Sequence, residues 1–261
     1  MKSSGLARAA WCFILLLLVL LLSQHVAFAA DKLSGTNIDK RTALWFKAPD
    51  AAVGKLIPSG WISDPVASGP FKGANAAVVL IDSYFAADAK GQPVKPFQGV
   101  VLALPAKKPG VEIADNLMVV VGITTEDQVP GVYGVYVAGK VVIERASRFL
   151  GDAGMTVREN WQFASRDGNE LELSLQYKGG SAARGKIDGR TTSGARPDYY
   201  HNNSIDHVTE IVRSTAIGVD RVEAISFRAT GPKLSPVFNG AEQLLGIGST
   251  PVFSRIITVP E

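Results

Sequence analysis

Lys140 follows an apolar, β-rich stretch, GVYGVYVAG, and precedes the equally apolar VVI. A lysine amine becomes a nucleophile at neutral pH when burial or a neighbouring cation lowers its pKa. Glu144 lies four residues further on and would share one side of a strand with Lys140. The stretch therefore has two interpretations. Lys140 and Glu144 are catalytic residues in an apolar pocket, or Lys140 is solvated near a turn at Ala138-Gly139 that joins two strands.

A second candidate is the basic segment YKGGSAARGKIDGRTTSGARP, in which five Lys or Arg residues accompany a single acid. Its many Gly, Ser and Thr residues and its low hydrophobic content predict a mobile loop. Arg184 and Lys186 would be the ligand-binding residues of this loop, as donors to a carboxylate. The alternative is an ordinary solvated loop on the surface.

The third candidate is the segment PDYYHNNSIDHVTEIVRS, which contains His201 and His207 close to Tyr199. If residues 205–212 are helical, His207 and Glu210 share a face at i, i+3 and could form an acid–base pair. The spacing of the two histidines matches no zinc pattern, so we expect no metal. We predict Tyr199, His201 and His207 to be ligand-binding residues, with ordinary hydrogen-bonded or exposed histidines as the alternative.

Several familiar sites are missing from the sequence. It contains no phosphate loop, no Gly-rich dinucleotide fingerprint and no G-x-S-x-G nucleophile elbow. The only cysteine is Cys12, close to the N-terminus, so the rest of the chain has no disulfide and no cysteine-based zinc site. We therefore expect no cofactor.

The first residues have the pattern of a signal peptide. A short basic region with Lys2 and Arg8 precedes the apolar run WCFILLLLVLLLS, and the sequence AFAA then offers a small-residue cleavage site at Ala27 and Ala29. The apolar run is short for a membrane span, which needs about 20 apolar residues. We predict a signal peptide over residues 1–29 and an exported protein, periplasmic or secreted, without a membrane span after cleavage. An uncleaved anchor is the alternative.

Removal of this segment also changes the charge balance. Without Lys2 and Arg8, the basic and acidic residues of the chain are nearly equal in number. No strong basic field remains, so we expect no nucleic-acid partner. The expected partner is a small molecule, and the sequence leaves the oligomeric state open, a homo-oligomer included.

The elements that must position these residues are mostly short β-rich runs separated by Gly, Pro and Asp. The clearest is a hairpin at Asp167-Gly168, because its second strand alternates apolar and polar residues from Leu171 to Tyr177. Only SIDHVTEIVRS and GAEQLLGIG look helical. We predict a loose leader over residues 30–40 and a mostly β, single-domain closed β-barrel with a few short helices over residues 41–261.

Four parts of the chain together resemble the acetoacetate decarboxylase-like superfamily: KLIPSGW leading into AAVVLIDSYF; PFQGVVLALP; VYGVYVAGKVV; and the hairpin DGNELELSLQYKGG with the closing LSPVFNGAEQLLGIGSTPVFSRIITVP. The resemblance implies a β-barrel around an apolar cavity. Decarboxylases of this family form a Schiff base between a buried lysine and a β-keto acid. Residues 133–137 align with the family's Tyr-Gly-x-Pro-Lys segment, which places Val137 at the lysine position, three residues before Lys140.

Two main functions follow from these observations, and whether the chain is an enzyme stays open between them. The first is a barrel that binds a small carboxylated or apolar ligand in its cavity. The alternative is a lyase of the decarboxylase type, which acts on a small β-keto acid through an imine on Lys140. A structural or interaction protein of the cell envelope is a second alternative.

Overall fold

The computed structural model of the chain describes residues 31–111, 116–125, 129–149, 151 and 154–260. The signal peptide expected over residues 1–29 lies outside these residues. Among the residues described, no helix is long and apolar enough to cross a membrane. Residues Leu33–Val259 form one compact unit.

The secondary structure is almost entirely β. One helix, α1 (Asp50–Leu56), occurs in the described part of the chain. The strands are β1 (Lys32–Lys47), β2 (Ile62–Ser63), β3 (Ala76–Asp88), β4 (Pro93–Val94), β5 (Gln98–Lys107), β6 (Asn116–Thr124), β7 (Tyr136–Phe149), β8 (Met155–Ser165), β9 (Glu170–Lys178), β10 (Ala183–Ser193), β11 (Tyr200–Ser214), β12 (Val219–Asp220), β13 (Val222–Thr230) and β14 (Gln243–Val259).

Seven of these strands close into a ring. Their order is β6-β10-β11-β14-β1-β3-β5, and β5 returns to pair with β6. Most neighbours in the ring are antiparallel, whereas β10 and β6 run parallel over Arg190–Ser193 and Asn116–Val119. Closure removes the free sheet edges that would otherwise expose unpaired backbone groups. The expected closed β-barrel is confirmed.

A second sheet of four strands, β7-β8-β9-β13, branches from the ring. It begins where Tyr136–Ala138 of β7 runs parallel to Gly122–Thr124 of β6. Strands β8 and β9 form the predicted hairpin, and Gly168 in its turn adopts a φ of +80°. That backbone conformation favours glycine and explains the Asp-Gly pair in the turn.

The main hydrophobic core lies between this second sheet and one face of the ring. Trp161, Phe163 and Leu173 from the hairpin belong to the same buried cluster as Leu44 and Leu80 from ring strands. Complete burial of each such side chain contributes about 1.5–3 kcal/mol. Because strand residues alternate between faces, the neighbouring residues of the ring point the other way, into its interior.

Three segments differ from the sequence predictions, and all three became strands. SIDHVTEIVRS lies within β11, most of GAEQLLGIG lies in the first part of β14, and the basic segment forms β10. Each of these strands pairs along its length with a neighbour; β10 pairs with β11 from Ala183 to Thr192. Pairing within a closed sheet outweighs a weak local helix preference. The two segments expected to be helical are therefore strands, and the one helix among the described residues, α1, lies in a segment for which no helix was predicted.

Two boundaries also differ. Residues 32–40, expected to be a loose leader, form the start of β1, which pairs with β3 from Gly35 onwards. Strand β7 runs without interruption from Tyr136 to Phe149, so no turn separates two strands at Ala138-Gly139. Gly139 instead allows a close approach between strands, because a Cβ atom there would lie 2.7 Å from the backbone oxygen of Ala164.

Candidate functional site

A cavity of about 330 Å³ lies inside the ring. Every ring strand contributes to its wall: Arg41 from β1, Val79 from β3, Val101 from β5, Val119 from β6, Thr191 from β10, His201 from β11 and Arg255 from β14. The exposed lining residues Val94, Lys95 and Val132 mark its open side. The volume is suited to a small molecule.

One wall of the cavity carries two guanidinium groups. Asn37, Asp39 and Arg41 occupy alternate positions of β1 and therefore share one face. Asp39 is completely buried; its Oδ2 atom accepts hydrogen bonds from Asn37 Nδ2 at 2.5 Å and from Arg41 Nε at 3.0 Å. On the neighbouring strand, Arg255 donates from Nε to Asn37 Oδ1 at 2.9 Å. Both arginines are thus fixed by side chains of the same strand.

The arginines make this wall electropositive. Burial lowers the pKa of Arg41 to about 10, opposed by nearby Asp39 and assisted by the charge of Arg255. Arg41 therefore still carries its positive charge at neutral pH. Its guanidinium carbon also lies 3.5 Å from the ring centroid of Phe253, a cation–π contact that holds the side chain in place.

Three polar side chains form a hydrogen-bonded chain at the cavity wall, and two of them, Tyr133 and His201, line the cavity. The Tyr133 hydroxyl lies 3.2 Å from His201 Nδ1, and the Tyr199 hydroxyl lies 2.8 Å from His201 Nε2. Burial lowers the pKa of His201 to about 4, with a smaller contribution from Arg255, so the imidazole is neutral at pH 7. Burial also raises the pKa of Tyr133. Both tyrosine and histidine therefore contribute hydrogen-bonding groups without charge.

Two glycines fix the position of Tyr136, which lines the cavity. A Cβ atom at Gly122 would lie 2.7 Å from the Tyr136 ring, and one at Gly131 would overlap the ring from another side. Gly131 also has a φ of +66°, a conformation that other residues rarely adopt. The ring of Tyr136 is therefore held in a slot that only glycine permits.

The remaining wall is apolar. It consists of Val79, Ile81, Phe97, Val101, Ala103, Leu117, Val119 and Ile257. An apolar wall opposite a small number of placed polar groups is the usual composition of a site for a small organic ligand. The cavity can hold an apolar body and pair an anionic group with the arginines.

The two candidate catalytic residues lie elsewhere. Lys140 is exposed on β7, opposite Ala164 of β8, and does not line the cavity. Glu144 is also exposed and accepts a hydrogen bond from Asn160 at 3.4 Å. Neither side chain has the apolar surroundings that would activate a lysine nucleophile.

The structure places two of the five predicted ligand-binding residues at the cavity and three outside its lining. His201 lines the cavity, and Tyr199 is hydrogen-bonded to it. Arg184 and Lys186 are exposed on β10, outside the cavity lining. Arg184 forms a two-point contact with Asp206, at 2.9 and 2.5 Å.

His207 is the remaining predicted residue, and its environment differs from that of His201. It is hydrogen-bonded to Thr209 at 2.8 Å and does not line the cavity. Because β11 is a strand, His207 and Glu210 do not stand one helical turn apart. Among the residues described, no group of three or more His, Cys, Asp or Glu side chains could hold a metal ion.

The most strongly charged residues of the cavity were not among the sequence candidates. Two signals in the sequence could have found them. Asn37, Asp39 and Arg41 are polar at alternate positions of a β-rich segment, which places all three on one face. Arg255 is a lone charge inside the apolar run PVFSRIITVP. A single charge in such a strand is expensive to bury and therefore often functional.

Comparison with known proteins agrees with this architecture. No protein-family model matches the sequence, and no curated protein matches it. Among solved structures, the chain is similar to MppR, an enzyme of enduracididine biosynthesis, with a TM-score of 0.52, 11% identity and 90% coverage of both chains. That structure contains the condensation product of pyruvate and imidazole 4-carboxaldehyde.

It is also similar to an acetoacetate decarboxylase-like enzyme from Sphingomonas wittichii RW1, with a TM-score of 0.50 and 12% identity over 90% of this chain and 95% of the other. The chain has the acetoacetate decarboxylase-like fold. The resemblance inferred from the sequence segments is thereby confirmed at the level of the fold. At an identity of 11–12%, a shared fold does not show that individual residues share their roles. The function of this chain depends on the side chains of its own cavity.

Proposed function

We propose that this protein is an exported acetoacetate decarboxylase-like β-barrel that binds a small carboxylate with an apolar body inside its ring. The carboxylate lies against Arg255 and Arg41, and the hydrocarbon part lies against the apolar wall. Binding does not involve a covalent bond to the protein.

The observation that carries this proposal is the charge on the cavity wall. Two guanidinium groups, on Arg41 and Arg255, are accompanied by one buried carboxylate, that of Asp39. Arg255 is half-buried, and a bound anion would compensate its charge where water reaches it only in part. Arginine is also the side chain best shaped to donate two parallel hydrogen bonds to a carboxylate.

The lyase alternative lacks the buried amine that it requires. A Schiff base needs an amine in the cavity, and Lys95 is the one lysine among the lining residues described, at the exposed rim. Val137, which the family resemblance aligns with the lysine, pairs with Ile123 on β6. The position of Lys140 supports the second interpretation of that residue, a solvated side chain.

Isothermal titration calorimetry tests the binding function. Straight-chain carboxylates from acetate to octanoate would be titrated into the protein beside their uncharged primary amides. We expect the carboxylates to bind and the amides to bind at least about tenfold more weakly, because the amides lose the ionic hydrogen bonds. Arg255→Gln should remove this preference. Arg184→Gln, an arginine outside the cavity, is the matched control and should leave it intact.

Equal binding of acids and amides, or no binding of either series, would overturn the proposal. A covalent adduct on Lys140 after borohydride treatment with acetoacetate would replace it by the lyase. The export part has its own test. The protein expressed from its full sequence in a bacterial host should appear outside the cytoplasm and begin at Ala30 on N-terminal sequencing; a chain that retains residues 1–29 would contradict it.

A further inference from the structure

We propose that Asn37 and Asp39 are specificity-determining residues that set the cavity to accept one negative charge, so that it selects monocarboxylates over dicarboxylates. This inference rests on the proposed carboxylate-binding function. It concerns the number of charges on the ligand, which the function alone leaves open.

The first step is that the two arginines are not equivalent. Arg41 donates from both Nε and a terminal nitrogen to the same oxygen of Asp39, and their ion-pair distance is 2.5 Å. The charge of Arg41 is therefore compensated within the protein. Arg255 forms no ion pair with any carboxylate in the described part of the chain, and the acceptor of its Nε is a neutral amide oxygen. The uncompensated charge of the wall lies on Arg255.

The second step is the orientation of the Asn37 amide. Its oxygen accepts from Arg255, and its nitrogen donates to Asp39, so both ends of the amide are fixed by their partners. Asn37 is buried, with an exposed fraction of 3%. The amide separates Arg255 from the nearest carboxylate and holds its guanidinium without cancelling its charge. An aspartate at this position would pair with Arg255 and occupy it.

The third step concerns the other ionisable groups of the wall. Burial keeps His201 neutral and Tyr133 protonated at pH 7. At the open side, Asp88 and Lys95 contribute opposite charges, and the Asp88 carboxylate accepts backbone hydrogen bonds from Lys90 and Gln92. One ligand charge would therefore neutralise the interior. A second ligand charge would have to leave water without an uncompensated cation of the wall to pair with, which is unfavourable.

The experiment compares hexanoate with adipate, which has the same chain length and a second carboxylate, and with hexanamide as the neutral reference. Calorimetry at pH 7 should show that the wild-type protein binds hexanoate at least about tenfold more tightly than adipate. Asp39→Asn keeps the side-chain shape and frees the charge of Arg41. We expect it to shift the hexanoate-to-adipate ratio by about tenfold or more in favour of adipate.

A second variant changes Asn37 instead of Asp39 and adds a carboxylate rather than removing one. Asn37→Asp should reduce hexanoate binding by about tenfold or more, because the new carboxylate competes for Arg255. Asp39→Asn could fail to fold, because Asp39 Oδ1 has no hydrogen-bond partner and an amide there would bury an unpaired nitrogen. In that case Asn37→Asp still tests the inference. The matched control is Asp206→Asn, which removes a half-buried carboxylate outside the cavity lining and should change no ratio.

The outcomes distinguish a failure of the proposed function from a failure of this inference. If hexanoate and hexanamide bind equally, the proposed function fails and this inference fails with it. If hexanoate is preferred over hexanamide but adipate binds as tightly as hexanoate, the function stands and the inference is overturned. A folded Asp39→Asn or Asn37→Asp variant with wild-type ratios and affinities would overturn it as well.

Discussion

Arg255 donates from Nε to the Oδ1 atom of Asn37 at 2.9 Å, although the two residues lie 218 positions apart in the sequence. The contact joins the last ring strand, β14, to the first, β1, on the cavity side. The pairing of β14 with β1 therefore also brings together the side chains of the cationic wall. A change at either residue should affect both stability and the cavity.

Asn37→Ala should lower the free energy of unfolding by about 1–3 kcal/mol, because the buried Asp39 loses one donor and the half-buried Arg255 loses the acceptor of its Nε. Urea unfolding followed by circular dichroism measures this value. Gln176→Ala, whose hydrogen bonds to Arg158 and Glu223 are exposed, is the control, with an expected change within about 0.5 kcal/mol. Equal losses in the two variants would argue against a structural role for the Asn37 amide.

His201 should make stability dependent on pH. Burial lowers its pKa to about 4 in the folded chain, whereas an unfolded histidine has a pKa of about 6.5. Between these values the unfolded chain binds more protons, so the stabilisation present above pH 6.5 is lost as the pH falls towards about 4. The loss for this residue amounts to at most about 3 kcal/mol.

The measurement for this prediction is a difference between two proteins. Other groups titrate in the same range, so urea unfolding of wild type and His201→Gln should be compared at several pH values. The stability of wild type should fall more steeply than that of the variant between pH 6.5 and 4. Parallel curves would mean that the histidine is accessible to protons in the folded state.

Gly122→Ala should disturb the slot around Tyr136. The added methyl group would lie 2.7 Å from the ring, and overpacking of this kind costs about 1–3 kcal/mol. The loss should largely disappear when Tyr136 is also changed to Val, which removes the ring, and a double-mutant cycle by urea unfolding measures the coupling. Gly54→Ala, where a Cβ would meet nothing within 4 Å, is the control. Additive effects of Gly122→Ala and Tyr136→Val would contradict this account.

A lysine in the place of Tyr136 should acquire the reactivity that Lys140 lacks. Tyr136 is half-buried at the cavity, where the charges of Arg41 and Arg255 reach it. Burial and neighbouring cations both lower the pKa of an amine and so favour the nucleophilic form. Treatment with acetoacetate and borohydride should give a covalent adduct on Tyr136→Lys, detected by intact mass, and none on wild type.

The control for this experiment is Tyr136→Lys combined with Lys140→Arg. The adduct should persist in the double variant and map to position 136 after proteolysis. An adduct on wild type that disappears in Lys140→Arg alone would show that the exposed lysine is the reactive one.

Much of the fold could be predicted from the sequence. The Asp167-Gly168 turn and the alternation from Leu171 to Tyr177 are local signals, and the structure contains that hairpin. The failures share one cause. Segments such as SIDHVTEIVRS have no strong local period, so their conformation depended on which strands they would pair with, and that information is not local.

The residues of the site were harder to predict from the sequence than the fold. His201 and Tyr199 were selected as polar neighbours in one segment, and the structure does place them beside the cavity. Their partner Tyr133 is distant in sequence, and so is Arg255 from Asn37. Lys140 stands in an apolar segment, yet its side chain is exposed, because apolar neighbours along a strand do not tell which face is covered.

The sequence by itself determined the β-rich character of the chain, the hairpin and the absence of a lysine at position 137. The tertiary structure alone decided that β1 and β14 lie side by side, that Arg41 and Arg255 line one cavity, and that Asp39 compensates only the first of them. The reason is physical. Alternation and turn residues act over a few positions, whereas burial and charge pairing depend on which distant strands close the ring.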